Sequence, residues 1–298
     1  MNRKRKLIRV GLAGLAVLLL AATAALLLGS RRNRENNREL SEQFHRIPPS
    51  QAPADPLPEP DWMGLPDGSP ITREVRLAQA DELPDLVRSS VFHTEEGPVL
   101  PAMQELRKTV RDLCGWLEIR GLVDLPVVCR DNAYYLDHDA EGKASRYGAL
   151  FLDEGHPVAP GTQNLLIHGH NMRDGSMFGF LTHYQNRGYL RRHPVATFTT
   201  LREKEDYILF AVLKVRMDPQ DPDYLNYFTH ASFGTDREFE DYIGALRQHS
   251  LVRTSIGVEP SDALLTLTTC VGEDYRLVLV GRRIRKGESA ALLGTLIE

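Results

Sequence analysis

The sequence predicts a mostly β protein: a closed barrel of eight strands with N-terminal helices, a helical insert between strands six and seven, and one membrane-spanning helix ahead of it. Three observations carry this. Eight short runs rich in β-branched and aromatic residues follow one another after residue 120. Few stretches show helical periodicity. Near the start lies a run of 20 residues without a charge, Val10 to Gly29.

Taken in order, that apolar run is long enough to cross a bilayer core of roughly 30 Å as a helix. Arg3, Lys4, Arg5, Lys6 and Arg9 precede it, and Arg31, Arg32 and Arg34 follow. The denser cluster comes first, so residues 1–9 read as a cytoplasmic basic tail and residues 10–29 as an anchor, with the rest exported. A cleaved signal peptide is the alternative, with Ala22-Thr23-Ala24 as its cleavage site, but apolar residues continue past it to Leu28. Residues 30–74 are polar and hold eight prolines, Pro48 to Pro70, which disfavours regular structure. They read as a semi-rigid linker that lifts the domain off the membrane. The folded domain then spans 75–298.

Met103, Leu106, Val110, Leu113 and Leu117 recur at helical spacing and predict an amphipathic helix over 100–118. The eight strands fall at 125–130, 134–138, 147–152, 164–168, 194–200, 206–216, 263–269 and 276–284. In the insert, Thr235 and Glu238 form a capping box, and Phe239, Tyr242, Ile243 and Leu246 make one apolar face behind it. Many short strands with few helices fit a barrel, antiparallel or mixed.

Charge excludes one class of partner. The net charge is −4, and residues 1–38 carry nine Lys/Arg against one Glu, or +8, which leaves −12 for the other 260 residues. An acidic domain argues against nucleic acid. Three cysteines are too few for a disulfide scaffold and leave at least one thiol unpaired.

Three places have the residue types of a reactive site. Asn164-Leu-Leu-Ile-His168-Gly-His170-Asn-Met172 is an apolar strand that stops in polar residues. Leu265-Thr-Leu-Thr-Thr-Cys270 is an alternating strand that ends on a cysteine. Arg276 opens the last strand. A thiol attacks as its thiolate, an imidazolium supports that form and can protonate a leaving amine, and acyl transfer needs a donor for the developing oxyanion. Cys270, His170 and Arg276 supply these three roles.

Tyr147-Gly-Ala-Leu-Phe-Leu-Asp153, Asn164 to Met172, Asp174-Gly-Ser-Met-Phe-Gly179, Thr266-Leu-Thr-Thr-Cys270 and the Arg276 strand together resemble the class B sortases. Pro126-Val-Val and Asp131-Asn-Ala-Tyr-Tyr-Leu136 fit the same family, so the resemblance covers about residues 100–284. It implies an eight-stranded barrel and a membrane-anchored cysteine transpeptidase of a Gram-positive cell envelope, without cofactor. Such an enzyme cleaves the C-terminal sorting signal of secreted proteins and passes the acyl group to an amine of a cell-wall precursor or a pilin. The resemblance assigns catalysis to His170 within Gly169-His170-Asn171-Met172, to Cys270 and to Arg276. It puts Asn132, Leu136, His168, Thr268, Tyr227 and Phe228 along the substrate groove.

The chain departs from the family twice. His168 stands where tyrosine is usual. The stretch from Cys270 to Arg276 is short, which calls for a tight turn through Gly272, Glu273 and Asp274. Two rival readings share these residues: a cysteine peptidase with water as acceptor, and a non-catalytic wall-binding barrel. The His168-x-His170 pair has the form of a zinc motif, but only His183 and Asp153 stand near as a third ligand, so no metal is expected. Cys114 and Cys129 read as core residues, His183 and Tyr184 as structural, and Arg191-Arg192-His193 as a solvated turn.

Overall fold

A computed structural model describes residues 2–47, 98–159, 161–222 and 224–298, with side chains from residue 21 onward. Eight strands close into one mixed barrel: β1 (Leu113–Ile119), β2 (Val123–Val128), β3 (Leu150–Leu152), β4 (Asn164–His168), β5 (Val195–Thr200), β6 (Lys204–Arg216), β7 (Leu264–Val271) and β8 (Tyr275–Arg283). Their order around the barrel is β1-β2-β3-β4-β7-β8-β6-β5, with β5 returning to β1. Two neighbour pairs, β2–β3 and β4–β7, are parallel; the others are antiparallel. Closure leaves no free sheet edge.

The count of eight matches expectation, but its membership does not. The helix expected over 100–118 stops early. A short α2 (Pro101–Leu106) is followed by a turn and then by β1. The helical spacing misled because Met103, Leu106, Val110, Leu113 and Leu117 are all buried, and β1 is covered on both faces and lacks a two-residue alternation. Gly115 sits in β1 because the Phe198 ring fills the space a Cβ would occupy, with Phe198 Cζ 2.2 Å from that position. The strand expected at 134–138 is a 3-10 turn, Tyr134–Leu136. The Asp131 carboxylate accepts from the Ala133 and Tyr134 amides, at 2.9 and 2.7 Å, and bends the chain there.

Between β6 and β7 lies the expected insert with α4 (Asp236–His249); α3 (Arg187–Arg192) and α5 (Ala290–Gly294) are short. The Thr235 hydroxyl caps α4 by accepting from Glu238 N at 3.2 Å, and Glu238 Oε2 accepts in return from Gly234 N at 2.7 Å. Phe239, Tyr242, Ile243 and Leu246 are its buried face. The Tyr242 hydroxyl donates to the Tyr227 carbonyl at 3.0 Å and accepts from the Asn164 amide at 3.4 Å. The first bond braces the insert internally and the second fastens it to β4.

The first helix, α1 (Asn2–Arg46), runs without interruption through the apolar stretch and on to residue 46. Residues 30–46, expected in an irregular linker, are therefore helical; every proline of that linker lies at 48 or beyond, outside the described residues. Their outer surface is not polar throughout. Leu40 and Phe44 are buried, and Phe44 stacks on Trp116 with ring centroids 4.4 Å apart. With Met103, Leu106, Val110, Tyr135 and Phe151 they form a second core outside the barrel. Asp124 fixes the end of α1 through Ser41 and through His45 Nε2 at 3.1 Å, while Trp116 Nε1 donates to it at 2.7 Å. Among the described residues no helix is long and apolar enough to cross a membrane, and the side chains of most of the apolar run lie outside that description.

Candidate active site

Cys270 and Arg276 lie directly opposite each other across the β7–β8 hairpin. Facing residues of an antiparallel pair point to the same side of the sheet, so the sulfur and the guanidinium share a face. The hairpin stays in register to Val271↔Tyr275 and turns through Gly272, Glu273 and Asp274, with Gly272 at φ +69°. The short spacing is thus met by the tight turn. Cys270 is exposed; Cys114 and Cys129 are buried and free. Arg276 is half-buried and donates from Nη1 to its neighbour's carbonyl, Tyr275 O, at 3.1 Å. Among the described residues no carboxylate lies within ion-pair distance of it, so its charge is available to a ligand.

β4 runs parallel to β7, His168 beside Thr268. The pairing continues past the strand: Gly169 N donates to Thr268 O at 3.2 Å, the Thr269 hydroxyl donates to Gly169 O at 2.7 Å, and the Asn171 side-chain amide donates to Cys270 O at 2.8 Å. His170 is thereby carried to the level of Cys270, and both line one cleft of about 810 Å³. His170 Nε2 lies 2.6 Å from the Leu136 carbonyl. A carbonyl only accepts, so Nε2 carries a hydrogen and Nδ1 is the nitrogen left to gain or lose one.

That carbonyl reaches the ring because residue 148 is glycine. Gly148 has φ +61°, and a Cβ there would lie 2.5 Å from Tyr135 O and 3.1 Å from both Leu136 O and His170 Cδ2. The loop after His170 is pinned as well. Phe178 N donates to His170 O at 2.9 Å, Asn171 bridges to Met177, and Met177 adopts φ +50°, a conformation uncommon for a residue with a side chain.

The groove candidates are placed unequally. Leu136 is exposed beside His170, and its carbonyl is what touches the ring. His168 is half-buried, stacks on Phe151 at 5.0 Å and bonds Asp153 Oδ2 through Nε2 at 2.9 Å. The Asn132 amide donates to the same oxygen at 3.0 Å, and its carbonyl accepts from Glu154 N at 3.0 Å. Asn132 and His168 are therefore joined through Asp153. Burial opposes ionisation of that carboxyl, but hydrogen bonds from His156 and His168 outweigh it and hold it well below the usual carboxylate range. Thr268 is buried, with its hydroxyl 2.9 Å from that of Tyr227. Tyr227 is itself only 2% exposed and sits behind β7, whereas Phe228 is partly buried beside it.

Four contributors carried little or no signal in the sequence. The Leu136 contact is made by a backbone carbonyl, which no residue type announces. Gly148 is explained only by what approaches it. Asn171 lay within the histidine motif, and Asp153 figured only as the end of a family segment and as one candidate ligand for a metal that was not expected. Among the described residues the group with ligand atoms close enough for a metal is elsewhere, at His45, Glu118 and Asp124.

The fold and the exposed thiol at its rim place the chain among β-barrel cysteine enzymes. The sortase-domain family model matches residues 120–284, and the chain belongs to the sortase family. It is 32% identical over 196 residues to sortase B of Listeria monocytogenes, a match covering 64% of this chain and 77% of that one. The solved structure of sortase B from Listeria monocytogenes superposes with a TM-score of 0.53 at 31% identity, over 60% of this chain and 99% of that one. A Staphylococcus aureus sortase B–substrate complex gives 0.63 at 20% identity, over 87% and 100%, which speaks for the fold alone. Sortases are cysteine transpeptidases, and this chain is one of the class B type.

Proposed function

We propose that this transpeptidase acts outside the membrane on the C-terminal sorting signal of secreted proteins, with Cys270, His170 and Arg276 as its reacting groups. The observation that carries the reading is the pairing of Cys270 with Arg276 across one hairpin, with His170 in the same cleft. The Cys270 thiolate attacks the carbonyl carbon of the scissile peptide bond, and Arg276 stabilises the oxyanion that forms. His170, charged in the resting pair, gives its proton to the departing amine nitrogen as the C–N bond breaks. An incoming amine then attacks the thioacyl carbon and gives up a proton to His170, and the thiolate leaves. The acceptor amine comes from a cell-wall precursor or a pilin. Asn132, Leu136, His168 and Phe228 line the groove for the signal, and Thr268 and Tyr227, both buried and joined through their hydroxyls, support it from behind. Residues 10–29 anchor the chain, with the barrel on the outer side; the uncharged run and its basic flanks support this.

The test is turnover of a panel of sorting-signal peptides with and without an added amine. Amine should enter the product; products formed only with water would overturn transpeptidation. Cys270→Ala should abolish turnover and any trapped thioester, and Arg276→Ala should lower kcat by about 10²–10³-fold, the usual cost of losing an oxyanion donor. Substantial activity in the Cys270 variant would sink the assignment.

A further inference from the structure

The cleft that holds Cys270 is not walled by the barrel alone. Leu26, Leu27, Ser30 and Arg34 of α1 line it together with His170 and Cys270. The helix is fastened there. Ser30 Oγ donates to Asp174 Oδ2 at 2.8 Å, Arg34 Nη2 donates to Ser30 Oγ at 2.8 Å, and the Asn36 amide donates to Glu141 at 3.0 Å. One turn further on, Leu40 and Phe44 are buried against the barrel. No slack separates residue 30 from the domain, so the domain is held down to the helix and not lifted away from it.

The residues at this junction change character along the helix. Leu26, Leu27 and Leu28 are 50, 65 and 64% exposed. Arg31, Arg32 and Arg34 follow within two turns and are exposed, and from the barrel Arg146 and Arg173 bring two more exposed guanidinium groups to the same cleft. The acidic groups nearby are Asp174, taken up by Ser30 and Ser176; Glu35, beside Arg31 and Arg34; Glu141, held by Asn36 and Lys143; and Glu273 and Asp274, exposed in the turn after Gly272. A basic collar on a domain that is otherwise acidic, next to exposed leucines, has the composition that meets the boundary between acyl chains and anionic headgroups.

We propose that the mouth of the catalytic cleft is a membrane-docking surface. Leu26–Leu28 enter the edge of the bilayer, and Arg31, Arg32, Arg34, Arg146 and Arg173 seat on anionic phospholipid headgroups, so Cys270 works at headgroup level. The proposal rests on residues 10–29 being the anchor. It means that a substrate tethered to the same bilayer meets the thiol by diffusion in the membrane plane, at a high effective concentration.

The test uses the full chain in lipid nanodiscs with bimane attached to Cys270, the exposed thiol, and phosphatidylcholine spin-labelled on its headgroup as quencher. With phosphatidylglycerol in the disc, the bimane should be quenched. Quenching should weaken in purely zwitterionic discs and at high salt, and should be lost in an Arg146→Glu, Arg173→Glu variant whose thermal unfolding is unchanged. Bimane that stays unquenched in phosphatidylglycerol discs, or quenching indifferent to lipid charge and to the variant, overturns the proposal. A chain stripped from the discs by an alkaline wash fails differently: it overturns the anchor reading itself.

Discussion

Two single residues set the chemistry available to the site. Cys270 is exposed at a strand end, whereas burial, reinforced by the neighbouring Cys129, pushes the Cys114 thiol well above its ordinary range. The Cys114 S–H donates to the Val127 carbonyl at 3.4 Å, as a small buried hydrophobe with a weak donor would. Native protein treated with iodoacetamide should therefore take up one label, on Cys270, and unfolded protein three; native labelling of Cys114 would contradict the burial described. Gly148 is the second. Gly148→Ala forces a side chain into the left-handed region at a cost of about 1–2 kcal/mol and against the Tyr135 carbonyl. The Leu136 carbonyl must then move from His170 Nε2. The expected result is a lower kcat with a shifted pH–rate profile, and an unchanged profile would show that the carbonyl does not orient the ring.

At the scale of elements, legibility followed the kind of cover each strand has. β4, β5, β6, β7 and β8 were readable to within a few residues, because each is an apolar or β-branched run bounded by polar or turn residues. β1 was not, because burial on both faces erased its alternation and left a helical coincidence. The stretch 134–138 was misread because its aromatic content outweighed the Asp131 turn signal. The helical end of α1 was hidden by a proline content that begins only at residue 48. In the candidate site, His170, Cys270 and Arg276 were legible as motifs at strand ends, but the bonds that orient them were not. Tyr227 illustrates the difference: sequence placed it along the groove, and the fold buries it behind β7.

Far from the cleft, β8 carries a buried cation. Arg282 is 1% exposed and donates from Nη2 to Glu288 Oε1 at 2.9 Å and from Nε to Gly257 O at 2.9 Å. Removing the partner of a buried charge is costly. Glu288→Ala should lower stability by about 3 kcal/mol, measured by denaturant unfolding, with part of the loss restored in Glu288→Gln. A change below roughly 0.5 kcal/mol, the range of ordinary surface substitutions, would mean that water replaces the carboxylate.

For the molecule as a whole, Asp153 couples two groove candidates, Asn132 and His168, to stability. Its carboxyl is held below its unfolded value of about 3.9, so it binds its proton less readily when folded. Its stabilisation is fully present above about pH 4 and is lost as pH falls through the folded value. Asp153→Asn should flatten the acid limb of stability against pH while loosening Asn132 and His168. An acid limb identical to that of the parent would show that the carboxylate is not what acid attacks.

The parallel pairing of β4 with β7 also sets a timetable. Gly169 and Thr269 meet across 100 positions of sequence, and the strand bearing Arg276 ends only at residue 283. Contacts this distant form after shorter loops have closed. A growing chain therefore has a histidine and an open half-barrel long before it has a thiol opposite an arginine. The three candidate side chains therefore come together only when the last two strands pair, so a chain that stops short of β8 lacks the thiol–arginine pair.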